Sequence, residues 1–270
     1  MRRTPLGMTA KNMLRLLITY RYAVLAGFVS IAALFVMQRF PIYWVFLAAI
    51  GIWSAAVILL FRLIEKKINR RYPYLPLLFA TVAGFVGLTS LIEWTPLRFF
   101  LNLLSGAVMM ILFILPLHEA STARHEQKPW RRILMMLWVF DAYALATTFF
   151  AVGLLFQNIP APILSVAAGA IFGASSREIW RLYFIEAETR LTLPPFLIGL
   201  IMTELVWTAR LLPFGHLALG LLVTWAWYVL QLLIRFHMSP QGIVWRRQRL
   251  FLATNAILYV VFLFFVVRWI

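Results

Sequence analysis

Two carboxylates of this chain stand where carboxylates are costly. Asp141 interrupts the apolar run 133–156, and Glu204 interrupts the apolar run 193–212, which also carries Arg210. An unpaired charge at the centre of a membrane span costs at least about 2.5–3.5 kcal/mol on insertion scales, so each such residue needs a reason to be there. Asp141 shares a helical face with Ala144 and Thr148, at i+3 and i+7, and Glu204 shares one with Thr208, at i+4. Both acids fall near the middle of their runs. Two carboxylates at that depth can bind a cation or exchange protons, because burial disfavours the charged form.

A structural role is the alternative. Arg210 stands six residues beyond Glu204, about 9 Å along the helix axis and on a different face. It can pair with an acid on a neighbouring helix, and a protonated Glu204 bonded to a threonine would also be satisfied. Asp141, Glu204, Arg210, Thr148 and Thr208 are therefore the candidate intramembrane binding residues. The acids are expected to face the protein interior, with Arg210 toward the outer interface, near an acid or snorkelling to the headgroups.

Other chemistry is thin. His118-Glu119 and His125-Glu126 repeat at a seven-residue spacing, which would put both histidines on one helical face. There are only four histidines and no HExxH, so the pair reads as part of a solvated basic loop, and no metal or cofactor is expected. Cysteine is absent, which excludes disulfides and thiol chemistry. No P-loop, glycine-rich nucleotide loop, GxSxG or Asp-rich transferase motif is present, so the sequence points away from an enzyme. An enzyme acting on lipid would have to draw on Glu119, Glu126, Glu178, Glu186 and Glu188 near the inner interface.

The elements that must hold these residues are membrane helices. Hydrophobic residues make up 63% of the chain against 13% charged, and mean hydropathy is +0.89, more apolar surface than a soluble domain of this size can hide. Repeated apolar runs of helical rather than alternating pattern predict an all-α, polytopic transmembrane bundle of about nine spans. Residues 1–22 read as a basic membrane-surface segment and 23–270 as a single transmembrane domain. The spans fall at about 23–37, 41–61, 75–92, 99–117, 133–156, 163–174, 193–212, 216–234 and 250–267. The sixth is the shortest, about 18 Å at 1.5 Å per residue. It either extends through residues 175–178 or is a half-span. Residues 177–190 then read as an amphipathic surface helix of mixed charge, a docking site for a partner or for anionic lipid headgroups.

Charge orients this count. With alternate gaps placed inside, 21 of the 25 Lys and Arg residues fall on one side, and only Arg39, Arg98, Arg210 and Arg268 on the other. The positive-inside rule then puts the N-terminus in the cytoplasm and the C-terminus outside, in a membrane of the bacterial inner type. In that setting the net charge of +16 is a topology signal, and nothing in the sequence supports a nucleic-acid partner. Ser165, Gly169 and Gly173 recur every four residues, a small-residue stripe that lets two helices approach closely. Gly220, Thr224, Trp227 and Gln231 share one face of the eighth span, suited to lining a cavity or to packing.

Two functions follow from these features. The first is transport or ion coupling through buried Asp141 and Glu204. The second is a non-catalytic subunit or scaffold that packs in the bilayer against partner membrane proteins or further copies of itself.

Overall fold

The computed structural model describes residues 10–40, 43–68, 74–119, 128–156, 158–183, 193–238 and 245–265. Among the described residues every regular element is a helix: α1 (Ala10–Arg39), α2 (Tyr43–Ile68), α3 (Leu75–Leu91), α4 (Thr95–Glu119), α5 (Lys128–Leu155), α6 (Ala161–Arg181), α7 (Leu193–Ala209), α8 (His216–His237) and α9 (Trp245–Phe265). Among the described residues five stretches are long and apolar enough to cross a membrane: Tyr20–Arg39, Trp44–Lys66, Thr95–Leu115, Trp130–Leu155 and His216–His237. The chain is thus built as a multi-pass helical membrane protein. The apolar helices α3 and α7 have 17 residues each. Among the described residues α6, whose last turns carry Ser175, Ser176, Arg177 and Glu178, is not one of the five.

Several helices outrun the apolar stretches that announced them. Residues from 62 onward were expected to form a loop, yet α2 continues to Ile68. Arg, Leu, Ile, Glu and Lys all favour helix, and no breaker intervenes before Pro73. Arg62 also donates to Glu65 at 3.0 Å, an i,i+3 pair on the same helix. α4 begins at Thr95 because Pro96 suits a first turn, where its missing N–H costs nothing. α9 begins at Trp245, inside the basic stretch. α6 runs through residues 175–178 to Arg181, so the start of the expected surface helix is the end of α6, and residues 184–192 lie outside the described residues. α1 runs unbroken across residue 22. His118-Glu119 closes α4, and His125-Glu126 lies outside the described residues.

The chain divides into two compact units, residues 1–133 and 134–270. In the first, α1 packs on α4 at two glycines. A Cβ added at Gly27 would lie 2.9 Å from the Gly106 carbonyl, and one at Gly106 would lie 3.1 Å from the Gly27 carbonyl. Ser30 is fully buried one turn away. It donates to Ala26 O at 2.8 Å and accepts from Trp53 Nε1 of α2 at 2.9 Å. Near the other end of α1, Gln38 and Asn102 exchange two amide bonds of 2.8 and 2.9 Å. Phe61 and Phe113 meet edge to face at 5.9 Å.

The second unit is organised on the antiparallel pair α6–α7, with α8 beside it and α5 touching at isolated points. α9 is the exception. Along it Leu250, Ile257, Leu258, Val260, Val261 and Phe264 are exposed, and Tyr259 stacks on Trp225 of α8 at 4.1 Å.

Candidate functional site

The α6–α7 seam is made by residues that lack side chains. A Cβ at Gly169 would collide with the Thr203 hydroxyl and come within 2.5 Å of the Gly199 carbonyl, and one at Gly173 would come within 2.7 Å of the Pro195 carbonyl. Gly199 sits between them, its own Cβ position 3.2 Å from the Gly169 carbonyl. Ser165 continues the stripe, fully buried. Without a hydrophobic effect between helices in lipid, such close backbone approach is where van der Waals packing is gained. The stripe on α6 was visible in the sequence. Its counterpart on α7, Gly199 with Thr203 four residues on, was not singled out, because a single glycine in an apolar run does not say which helix it will meet.

α7 uses up its narrow faces in this way. Pro195, Ile198, Met202, Val206 and Ala209 are buried, and Gly199 and Thr203 lie on α6. Glu204 stands two residues from both Met202 and Val206, about 200° around the helix, and it is exposed. This corrects the expectation that both acids face the interior. Glu204 lies on a groove of about 350 Å³ with Pro162, Ser165, Thr203, Trp207 and Thr208. Thr208 is exposed too, and its hydroxyl donates to the backbone carbonyls of Glu204 and Leu205 at 3.0 and 3.1 Å. Val166 and Thr203 link this groove to a second one of about 490 Å³, which runs along the same seam to Arg177.

Asp141 goes the other way. It is completely buried on α5. Thr148, expected on the same helical face, donates to Ala144 O of its own helix at 2.7 Å. Arg210 lies in the turn that ends α7, with its guanidinium about Gly153 of α5: a Cβ added there would sit 3.2 Å from Nη2. Among the described residues Nη1 of Arg210 is buried with no hydrogen-bond partner. The two acids thus differ in setting, Asp141 buried and Glu204 exposed.

The α8 face is entirely inside. Gly220, Thr224, Trp227 and Gln231 are all buried. Trp227 Nε1 donates to Ser176 Oγ at 2.8 Å and to Phe172 O at 3.1 Å, and its ring meets Phe172 at 5.4 Å. Two turns further along, Arg235 lies over the Tyr183 ring at 4.5 Å and donates to Met135 Sδ at 3.5 Å. Gln231, on α8, and Trp180, on α6, fall between these two contacts, and both are fully buried. Their polar atoms, with Ser165 Oγ and Thr224 Oγ1, have no hydrogen-bond partner among the described residues. Such orphans in the described residues all belong to the second unit, while in the first Ser30, Trp53, Gln38 and Asn102 are bonded to one another. Buried groups of this kind bind water or a polar ligand when one reaches them.

The arrangement offers three chemistries: a lone carboxylate on an apolar outer groove, a cationic end to that groove, and a buried polar interior behind it. No protein-family model matches the chain, and no curated protein or solved structure matches it either.

Proposed function

We propose that the protein is a non-catalytic subunit of a larger membrane assembly, and that a partner helix docks on the outer face of α7. The observation that carries this is Glu204, exposed on an apolar helix eleven residues from Leu193 and five from Ala209. Phe196, Leu197, Leu200, Ile201, Trp207 and Leu211 are exposed around it, so the strip is suited to hydrocarbon or to another helix and not to water. A carboxylate on such a strip is stabilised by a cation delivered at the same depth. The partner is therefore a transmembrane segment bearing Lys or Arg. The exposed apolar length of α9 gives a second surface of the same type.

A photocrosslinking residue at Trp207 tests this in native membranes. The expected product is one protein adduct whose crosslinked span contains a basic residue. The adduct disappears with Glu204→Gln and returns when Glu204→Lys is combined with an acidic residue in the partner. Adducts to lipid alone, or a protein adduct indifferent to Glu204→Gln, would sink the reading. An adduct to a second copy of this chain would make the assembly a homo-oligomer.

The full topology belongs to this proposal as well: nine spans, basic connections in the cytoplasm, and a bacterial-type inner membrane. The 21-to-4 division of basic residues supports it. Reporter fusions at residues 70 and 158 should report opposite sides, as should fusions at 158 and 186. The second pair decides whether α6 crosses.

The buried polar groups favour a second reading, transport or ion coupling through the second unit. Asp141 would then be the titrating group, with Thr224 and Gln231 lining the route. Asp141→Asn should abolish an ion-dependent flux in proteoliposomes while Glu204→Gln leaves it intact.

A further inference from the structure

We propose that the inner part of the α6–α7 groove binds one acyl chain of an anionic phospholipid, with the lipid phosphate held by Arg177. The groove holds about 490 Å³. It is lined by the small residues Ala170, Gly173 and Ala174 of α6 and by Phe196 and Leu200 of α7, and larger side chains at the exposed alanines would fill it. Val166 and Arg177, both on its lining, are eleven residues apart on α6, about 16 Å of trough. That is a length of mostly apolar channel with one cation, Arg177, among its described lining residues, at one end.

The cation is available. Arg177 is exposed, and among the described residues it has no hydrogen-bond or ion-pair partner. The acid beside it, Glu178, is engaged by Arg181 at 3.1 Å. The neighbouring carboxylate is therefore neutralised from its other side, and a phosphate approaching Arg177 meets net positive charge. Guanidinium also fits a phosphate in bidentate fashion, which an ammonium does not. Helix ends carrying Arg177 and Arg181 mark the depth at which headgroups lie. A zwitterionic headgroup offers the same phosphate but brings its own cation toward Arg181, so the charge pattern selects anionic lipid.

The site shares Phe196 and Leu200 with the strip around Glu204 but does not need Glu204 itself, so its test is read apart from that reading. It ends at Val166 and Thr203, where the Glu204 groove begins. The test uses the full chain in a neutral detergent, titrated with phosphatidylglycerol, phosphatidylcholine or inorganic phosphate, and read by native mass spectrometry and thermal shift. One phosphatidylglycerol per chain is expected, preferred over phosphatidylcholine by about fivefold, the equivalent of about 1 kcal/mol for one basic residue at the surface. Arg177→Gln removes the preference, and Arg177→Lys keeps part of it, which separates loss of charge from loss of fold. Ala170→Phe fills the trough without touching Arg177 and lowers binding of both lipids. Glu204→Gln leaves all of these results unchanged. The proposal is overturned if Arg177→Gln keeps the preference, if Ala170→Phe binds as the parent does, or if inorganic phosphate stabilises the protein as much as phosphatidylglycerol.

Discussion

Gly220 of α8 rests against Thr147 of α5, so that a Cβ at position 220 would lie 3.0 Å from both the Cα and the Cβ of Thr147. Backbone atoms cannot step aside as a side-chain tip can. Gly220→Ala should therefore destabilise the protein by about 1–3 kcal/mol, the usual cost of overpacking. Gly51 of α2 is the control. Nothing lies within 4 Å of its Cβ position, so Gly51→Ala should be neutral or stabilise by up to about 1 kcal/mol, from helix propensity. Thermal unfolding of both variants in one detergent checks the contrast.

The Gln38–Asn102 amide pair gives a cycle. Each amide satisfies the other in both directions, at 2.8 and 2.9 Å. Gln38→Leu alone leaves the Asn102 amide without its partner, at about 1–3 kcal/mol. Asn102→Leu does the same to Gln38. The double substitution should cost less than the sum of the two, because no amide is left stranded. Full additivity in denaturant unfolding would mean that the pair contributes nothing as a pair.

Trp227 tests the link from α8 to α6. Trp227→Phe keeps a ring against Phe172 but removes the donor to Ser176 Oγ and Phe172 O. A loss of about 1–3 kcal/mol is expected from the lost bonds and the smaller ring. Ser176→Ala should cost less, since Trp227 Nε1 keeps the Phe172 carbonyl and only one of its two acceptors is lost. If Ser176→Ala proves the more damaging of the two, the hydroxyl has a role beyond accepting from the indole and donating to Phe172 O at 2.9 Å.

The two intramembrane acids should separate in a stability measurement. Asp141 is fully buried, and Glu204 is exposed. Glu204→Gln should leave the unfolding midpoint of the isolated protein within the roughly ±0.5 kcal/mol typical of surface changes. Asp141→Ala should lower stability by more than 1 kcal/mol, because it removes a buried group together with its volume. Equal effects from both would contradict the burial of one and the exposure of the other.

Much of the fold could be read from the chain because it is one-dimensional. Apolar runs long enough to span are properties of a single segment, and so is the four-residue recurrence of Ser165, Gly169 and Gly173. Helix ends were read less well. Hydropathy reports where hydrocarbon would stop, whereas the helix stops where backbone bonding fails, and Arg62, Glu65 and Lys66 bond perfectly well beyond the apolar boundary. The direction of Glu204 was not legible for a different reason. Periodicity places Glu204 and Thr208 on a common face but cannot say which face of α7 will be taken by α6, and that choice was made by Gly199. Arg177 was seen as part of a mixed-charge segment. That it closes a groove depends on Phe196 and Leu200, twenty residues away.

The 17-residue length of α7 has a consequence for the bilayer itself. At 1.5 Å per residue it reaches about 25 Å, against a hydrocarbon core of about 30 Å. α3, in the other unit, is equally short. On the proposed nine-span topology, lipid beside these helices has to thin even when they stand upright, and each ångström of mismatch costs a fraction of a kilocalorie. Thinning brings headgroups and water toward Glu204 from both leaflets and lowers the cost of its charge at that spot. On that topology the protein is suited to thin membranes, and bilayers of graded acyl length should show its stability falling as the chains lengthen.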